Sequence, residues 1–518
     1  MYKKKSLIKT SFFSVGLVLS LLLVDIMGQG LLKVGVKRIV KKSVGVPSTD
    51  RGLDVTSTPQ TPGLATRNLE LSTFTSISKP VNDSRPYVRG RVIVKYRNGT
   101  TAKTRLSTMT STGATSVEHL SYANFDILRI SPNADPEAIA QLLTDNPNVE
   151  YAQAAYKISA SFQPNDPLFD KQWNMAALDM PRAWDINPGA AETVTIAILD
   201  TGVAWRDQTI SVTSVPLQDE DGTVGQFSFD IPFGAAPDLK GPNRFVAPYD
   251  FNWEDNNPAD WDGHGTHVAG SAGQLTNNGI GVSGIAFNTR IMPVKVLTST
   301  IESLFFDPPT LATDATIARG IRYAVDNGAQ VINMSLGRSG ETPAPVVEDA
   351  LRYAVSMGTF VAIAAGNSFE DGNPIEWPAS YGPEIDGVIT VGSLGRELKR
   401  SYFSSTGFVE ISAPGGDQRK NGLTGGILQQ TYDPDFSWMF PPRYDIFRFR
   451  YFQGTSMAAP HVAGFAALLY QQGIKNPAAI EAAMKAYAKD VGTPGKDTAT
   501  GHGLIQPRQT LLGLGLNR

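Results

Sequence analysis

The sequence predicts an α/β protein: a largely parallel sheet with helices on both faces, preceded by a small α+β domain. Two observations carry this. From about residue 160 onward, short apolar runs alternate with helical patterns, the order that builds parallel sheets. Residues 86–157 instead mix strand-like alternation with short helical stretches. The length of 518 residues exceeds one ordinary domain and suggests about three segments.

The chain opens on Lys3, Lys4 and Lys5, followed by a mostly apolar run over 12–24 and then Gly28 and Gly30. A basic start, a short apolar run and small residues read as a secretory signal over 1–30, hence a secreted, extracellular protein. The run is short for a membrane span of ~20 residues, so contact with a membrane is expected only if the signal stays uncleaved. The stretch 31–85, rich in Ser, Thr and Pro from 41 onward, reads as a disordered linker.

In 86–157, residues 91–96 alternate as a strand does, and Asn98-Gly99 marks a turn. A helix is expected over 136–143, with Asp135 as its cap and Pro136 at its first position. Residues 149–156 read as another strand. The third part, 158–518, has buried strand patterns at 194–199, 291–297, 331–336, 360–365 and 388–393. Helices are expected over 267–273, 317–326, 346–356, 455–470 and 478–488, with Gly328 and Gly358 ending the second and third. Pro460 falls inside one of them, where propensity alone would break the helix. In sheets of this kind functional residues sit beyond the carboxyl ends of the strands. Asp200 follows one strand pattern and Asn367 another.

Composition narrows the chemistry. A net charge of −3 provides no basic surface for nucleic acid. The absence of cysteine excludes disulfides, thiolate metal sites and a cysteine nucleophile.

Three segments carry reactive groups: 197–203 around Asp200, 262–270 around His264, and 454–464 around Ser456. An Asp closing a buried apolar run is costly unless it has a partner. A Ser hydroxyl is a poor nucleophile until an adjacent base takes its proton. Imidazole titrates near neutrality, so His264 suits that role, and a carboxylate such as Asp200 would hold its tautomer. Ser456 opens a helix of small residues, where unpaired amides favour negative charge.

Together, in the order Asp, His, Ser, these segments resemble the signature segments of the subtilisin family. A fourth, Ala364-Ala365-Gly366-Asn367, resembles its oxyanion-hole segment. The resemblance covers roughly 164–514 and implies a secreted serine endopeptidase acting on polypeptides through an acyl-enzyme. Its catalytic residues would be Asp200, His264 and Ser456, with Asn367 as an oxyanion donor. The segment 86–157 resembles the family's inhibitory propeptide, which implies a self-processing zymogen cut between 157 and 164. The family pattern also carries the proline at 460.

The resemblance extends to binding sites. Ser335, Leu336 and Gly337 match the substrate-binding segment, facing a wall of Ala364, Ala365 and Gly366. Small residues there imply room for a large apolar side chain. The loop 277–282 resembles a calcium loop, with Asn278 and the carbonyls of Ile280 and Val282 as ligands and Gln172 as a more distant one. Asp250, Asp255 and Asp260 would hold a further ion or be solvated. The spacing of His264 and His267 lacks the carboxylate pattern of a zinc site. His461 and His502 are expected to be structural, and His119 has no assigned role.

Two insertions, 204–249 and 417–452, interrupt the compact pattern, and the second is aromatic enough to pack over a cleft. A peptide-binding scaffold without catalysis would not need the full reactive set. An esterase would place Ser first, in a Gly-x-Ser-x-Gly elbow. No oligomer signal is visible, and a monomer is expected.

Overall fold

The computed structural model describes residues 87–114, 116–119, 124–157, 162–218, 224–439 and 441–513. The signal and linker read over 1–85 lie outside the described residues.

The first unit is a four-stranded antiparallel sheet with two helices. Its central strand, Tyr87–Tyr96, pairs with Asp126–Arg129 on one side and Val149–Tyr156 on the other. Val92, Val94, Leu128, Leu143 and Val149 form its core. The helix Pro136–Thr144 starts as expected, with the Asp135 carboxylate accepting from Glu137 N at 2.9 Å. The helix Ala102–Ser111 was not read from the sequence. It is polar nearly all round and buries only Thr108 and Met109, so it has no apolar stripe to detect.

The second unit is built on seven strands, all paired in parallel. In spatial order they are Tyr249–Asp250, Arg290–Lys295, Thr195–Asp200, Val331–Met334, Phe360–Ala364, Val388–Leu394 and Ile411–Pro414. Successive residues serve opposite faces. Ile196 and Ile198 join the core beneath the helices His264–Gly273 and Thr455–Gln471. Ala197 and Leu199 join the core beneath Asp314–Asp326 and Pro345–Ser356. A sheet buried on both faces is apolar at most positions, which is why its strands read as near-continuous apolar runs, broken by a few buried polar residues such as Asn333 and Thr390. The chain leaves Thr195–Asp200 for one side of the sheet and later returns to Val331–Met334 on the other. Asp200 therefore ends a strand at the switch point, where α/β sheets open a crevice.

Three local outcomes stand out, of which the helix through Pro460 is as expected. The helix expected from 267 begins a turn earlier, at His264. Gly263 takes a left-handed conformation, φ 101°, and the Asp262 carboxylate accepts from His264 N at 3.1 Å. The helix Thr455–Gln471 continues through Pro460. The third outcome concerns the insertions, which form antiparallel hairpins, Gln208–Thr213 with Ser228–Phe233 and Ile427–Tyr432 with Phe447–Phe452. Phe233 stacks on Tyr444 at 4.9 Å, Gly234 N donates to the Tyr444 carbonyl and Tyr444 N to that of Pro232, so the two insertions join. The second packs on the helix that begins at His264, with the Thr431 hydroxyl donating to the Gly263 carbonyl at 2.6 Å.

Candidate active site

Asp200 is wholly buried, and its Oδ1 accepts from Thr201 N and from His264 Nδ1, each at 2.7 Å. The approach of His264 depends on the residue after it. A Cβ on Gly265 would stand 2.1 Å from the Gly202 carbonyl oxygen and 3.1 Å from Asp200 Oδ1, so no larger residue fits. Burial pushes the His264 imidazole down, but the Asp200 charge and hydrogen bond, with Asp262 and Asp260 behind, reverse this and raise it to about 9.

Asp260 organises the loop between the two. Its Oδ1 accepts from Thr201 Oγ1, Asp262 N and Gly263 N, and its Oδ2 from the amide and hydroxyl of Thr266. The carboxylate of Asp260 is thus buried and spent on hydrogen bonds. Asp250 is buried too and accepts from Asn252 N and Trp253 N, while the exposed Asp255 accepts from Asn257 N. Lys295, wholly buried, donates to the Thr201 carbonyl and to Glu302, each at 2.8 Å. Burial works against its charge, and Glu302 and Asp250 sustain it.

Ser456 is the second residue of its helix. Pro460 has no N–H for the Ser456 carbonyl four residues back, and the Ser335 hydroxyl donates to that carbonyl instead, at 2.7 Å. The proline thereby frees an acceptor that ties Ser456 to the strand end at Ser335. Leu199 and Met334 are paired across adjacent strands, so Asp200 and Ser335 leave the sheet side by side. The Ser456 hydroxyl itself donates to the Ser335 carbonyl at 3.4 Å, not to His264.

Asn367 is held by Thr455, whose amide and hydroxyl donate to its Oδ1 at 2.9 and 3.0 Å. Its amide nitrogen is therefore turned the other way. Asn367 Nδ2 and Ser456 N each lie 3.6 Å from the point where Gly454 would carry a Cβ. Two donors thus converge beside the Ser456 side chain. Thr455 was missed in the sequence because its hydroxyl resembles any helix-start hydroxyl.

The side chains of three other histidines have partners, while His502 is half-buried and its amide donates to the Glu410 carbonyl. His267 Nε2 faces the carbonyls of Ile427 and Arg450, and burial pushes it down to about 3. His461 Nδ1 donates to the Met457 carbonyl, its Nε2 accepts from Asn174, and burial lowers it to about 4. His119 lies in the first unit against Asp126, 2.5 Å away.

Around the loop 277–282 the arrangement differs from the expected ligand set. The Gln172 side chain is spent on Ser283 N, at 2.7 Å, and on the carbonyls of Ser283 and Leu428. Two carboxylates come to the loop instead. Asp166 accepts from Asn277 N, Asn278 N and Ser283 Oγ. Asp238, wholly buried, accepts from Asn278 Nδ2 and Val282 N. Burial pushes Asp238 up to about 7. Among the described residues neither carboxylate has an ion-pair partner, and the carbonyls of Ile280 and Val282 accept no hydrogen bond.

Residues 191–503 match the subtilase family, and residues 75–154 match the fervidolysin N-terminal prodomain. The chain is 34% identical over 395 residues to the thermophilic serine proteinase of Bacillus sp. strain AK1, covering 75% of this chain and 80% of that one. It is 33% identical over 343 residues to thermitase of Thermoactinomyces vulgaris, covering 66% and 96%. An extracellular protease of Xanthomonas campestris pv. campestris is 29% identical over 436 residues, covering 77% and 68%. Among solved structures, a protease of Pseudoalteromonas arctica superposes with a TM-score of 0.52 at 30% identity, covering 68% of this chain and 99% of that one. Fervidolysin of Fervidobacterium pennivorans shares the fold, with a TM-score of 0.50 at 22% identity, covering 82% and 61%.

Proposed function

The chain belongs to the subtilase family of serine proteases and carries a prodomain, and on that premise we propose a secreted endopeptidase that matures by cutting itself. The bond from His264 Nδ1 to the buried Asp200 carries this reading. His264 is oriented with its other nitrogen free to take a proton. Ser456 Oγ, turned from the Ser335 carbonyl about its χ1, gives that proton to His264 Nε2 and attacks the scissile carbonyl. Hydrogen bonds of this kind are often long until substrate binds. The oxyanion forms between Ser456 N and Asn367 Nδ2. His264 then protonates the leaving amine, and water, deprotonated by the same imidazole, releases the acyl group. Secretion rests on the basic and apolar start of the chain and on a relative named as extracellular.

The prodomain, residues 86–157, covers the cleft as an inhibitor until it is cut. The test is N-terminal sequencing and mass of the purified protein beside Ser456→Ala. Wild type is expected to begin between residues 157 and 164, and the variant to keep 86–157. Identical trimming of both would show that another protease does the cutting.

A calcium ion fits the loop 277–282. Asp166, Asp238, Asn278 and the carbonyls of Ile280 and Val282 form an all-oxygen set that suits a hard cation. The ion would supply the positive charge that the buried Asp238 lacks. A chelator is expected to lower Tm by several degrees, since a site saturated at 100 times its Kd adds about 2.7 kcal/mol. In Asp238→Asn, Tm should no longer respond to calcium. An unchanged wild-type Tm in the chelator counts against the site.

A further inference from the structure

This inference rests on the protease reading and concerns which bond is cut. The segments 335–337 and 364–366 leave adjacent strands, with Met334 and Ile363 paired in register. By the family resemblance they would wall the space for the side chain that precedes the scissile bond. Their small residues imply an apolar tenant, but a third element changes the chemistry. The short strand Glu376–Trp377 pairs with Arg338–Ser339, just beyond the first wall. The Glu376 side chain crosses beneath the second: a Cβ on Gly366 would stand 2.5 Å from its Cγ and 2.8 Å from its Oε1.

Glu376 is only 4% exposed. The Ser339 hydroxyl donates to its Oε1 at 2.9 Å. Burial raises its carboxyl, with the hydroxyls of Ser368 and Ser339 acting against that. Among the described residues no cation pairs with it. Arg338, two residues before Gly340 on the neighbouring strand, spends its guanidinium on Asp314 at 2.8 Å and on the carbonyls of Thr342 and Pro343. A carboxylate buried without a counter-charge is costly, and a ligand that brings a cation removes that cost.

We propose that this pocket selects substrates with Lys or Arg before the scissile bond, Glu376 supplying the counter-charge. The aliphatic stem of either residue packs between the small walls, and its charged head reaches the floor. An aromatic ring would instead press on a buried carboxylate. A separate observation points the same way. Between the matched prodomain and the matched protease domain the basic residues are Lys157, Lys171 and Arg182, and Lys157 alone lies in the expected junction 157–164. It is exposed and directly follows the strand Val149–Tyr156. A cut after Lys157 would match the proposed preference.

The test compares kcat/KM for four peptide amides that differ only in carrying Lys, Arg, Phe or Leu before the scissile bond. Wild type is expected to favour Lys and Arg by about 10- to 100-fold, the range of a charge-assisted hydrogen bond. In Glu376→Gln the ratio should fall to about one. Taking the ratio within each protein cancels any loss of folded enzyme. A wild type that prefers Phe or Leu overturns the proposal, as does a Glu376→Gln variant with an unchanged ratio. Casein is assayed alongside. If casein is cut but the basic preference is missing, only the specificity fails. If neither casein nor any peptide is cut, the protease reading fails with it.

Discussion

Replacing Ser456 with alanine is expected to lower kcat by about a millionfold, the size of the same loss in subtilisin, a member of this family. In the proposed mechanism the substitution deletes the one atom that forms the acyl bond. It should leave the fold intact. The structural contact to Ser335 uses the Ser456 carbonyl, at 2.7 Å, whereas the hydroxyl makes only a 3.4 Å bond. A change that touches no packed group usually shifts stability by no more than about 0.5 kcal/mol. The residual rate, about 10³–10⁴ above water, should come from the donors at Asn367 and Ser456 N and from substrate binding. Peptide hydrolysis and labelling by a sulfonyl fluoride measure the two sides of this. Turnover within tenfold of wild type, or labelling of the variant, would remove Ser456 from the mechanism.

Asp200→Asn is expected to cost about 10⁴ in kcat, as the equivalent change does in another serine protease. In the proposed mechanism the carboxylate has two functions at once. It accepts the His264 Nδ1 proton, which leaves Nε2 free as a base, and it stabilises the imidazolium that forms. An amide does neither well.

The pH dependence carries a sign that separates this from mere damage. His264 acts as a base only when neutral, so wild-type kcat/KM should rise as pH approaches about 9 and level off above it. In Asp200→Asn the lowering effect of burial is no longer outweighed, and the rise should move to lower pH. Stability follows the same group. A folded-state pKa above the unfolded 6.5 adds stability that is full below 6.5 and is lost as pH rises through about 9. The wild type should therefore lose more stability between pH 6 and pH 10 than the variant does. An acid limb that stays in place in the variant would show that Asp200 does not govern His264.

The parallel sheet was legible because its strands are buried on both faces, and burial on both faces leaves mainly apolar residues to read. The candidate reactive residues stood out because each lies in a short local segment. Asp200 closes a strand, His264 sits between glycines that permit close approach, and Ser456 opens a helix. Helix boundaries were less so. Helix propensity alone argues against Pro460, and only a hydroxyl 121 residues away satisfies the carbonyl that it frees. The start at His264 likewise needed Asp260 and Asp262 folded back onto the turn.

The residues that tune the site came from farther still. Asp166 and Asp238 meet Asn278 across 112 and 40 residues of chain. Glu376 sits ten residues beyond the glycine that it crosses, in a stretch without periodicity. By itself the sequence determined the fold class and the kinds of reactive group, because periodicity and local turns are short-range properties. Only the tertiary structure decided which charges face the loop 277–282 and the proposed substrate pocket. Burial without a counter-charge is a property of a three-dimensional neighbourhood, and no spacing along the chain records it.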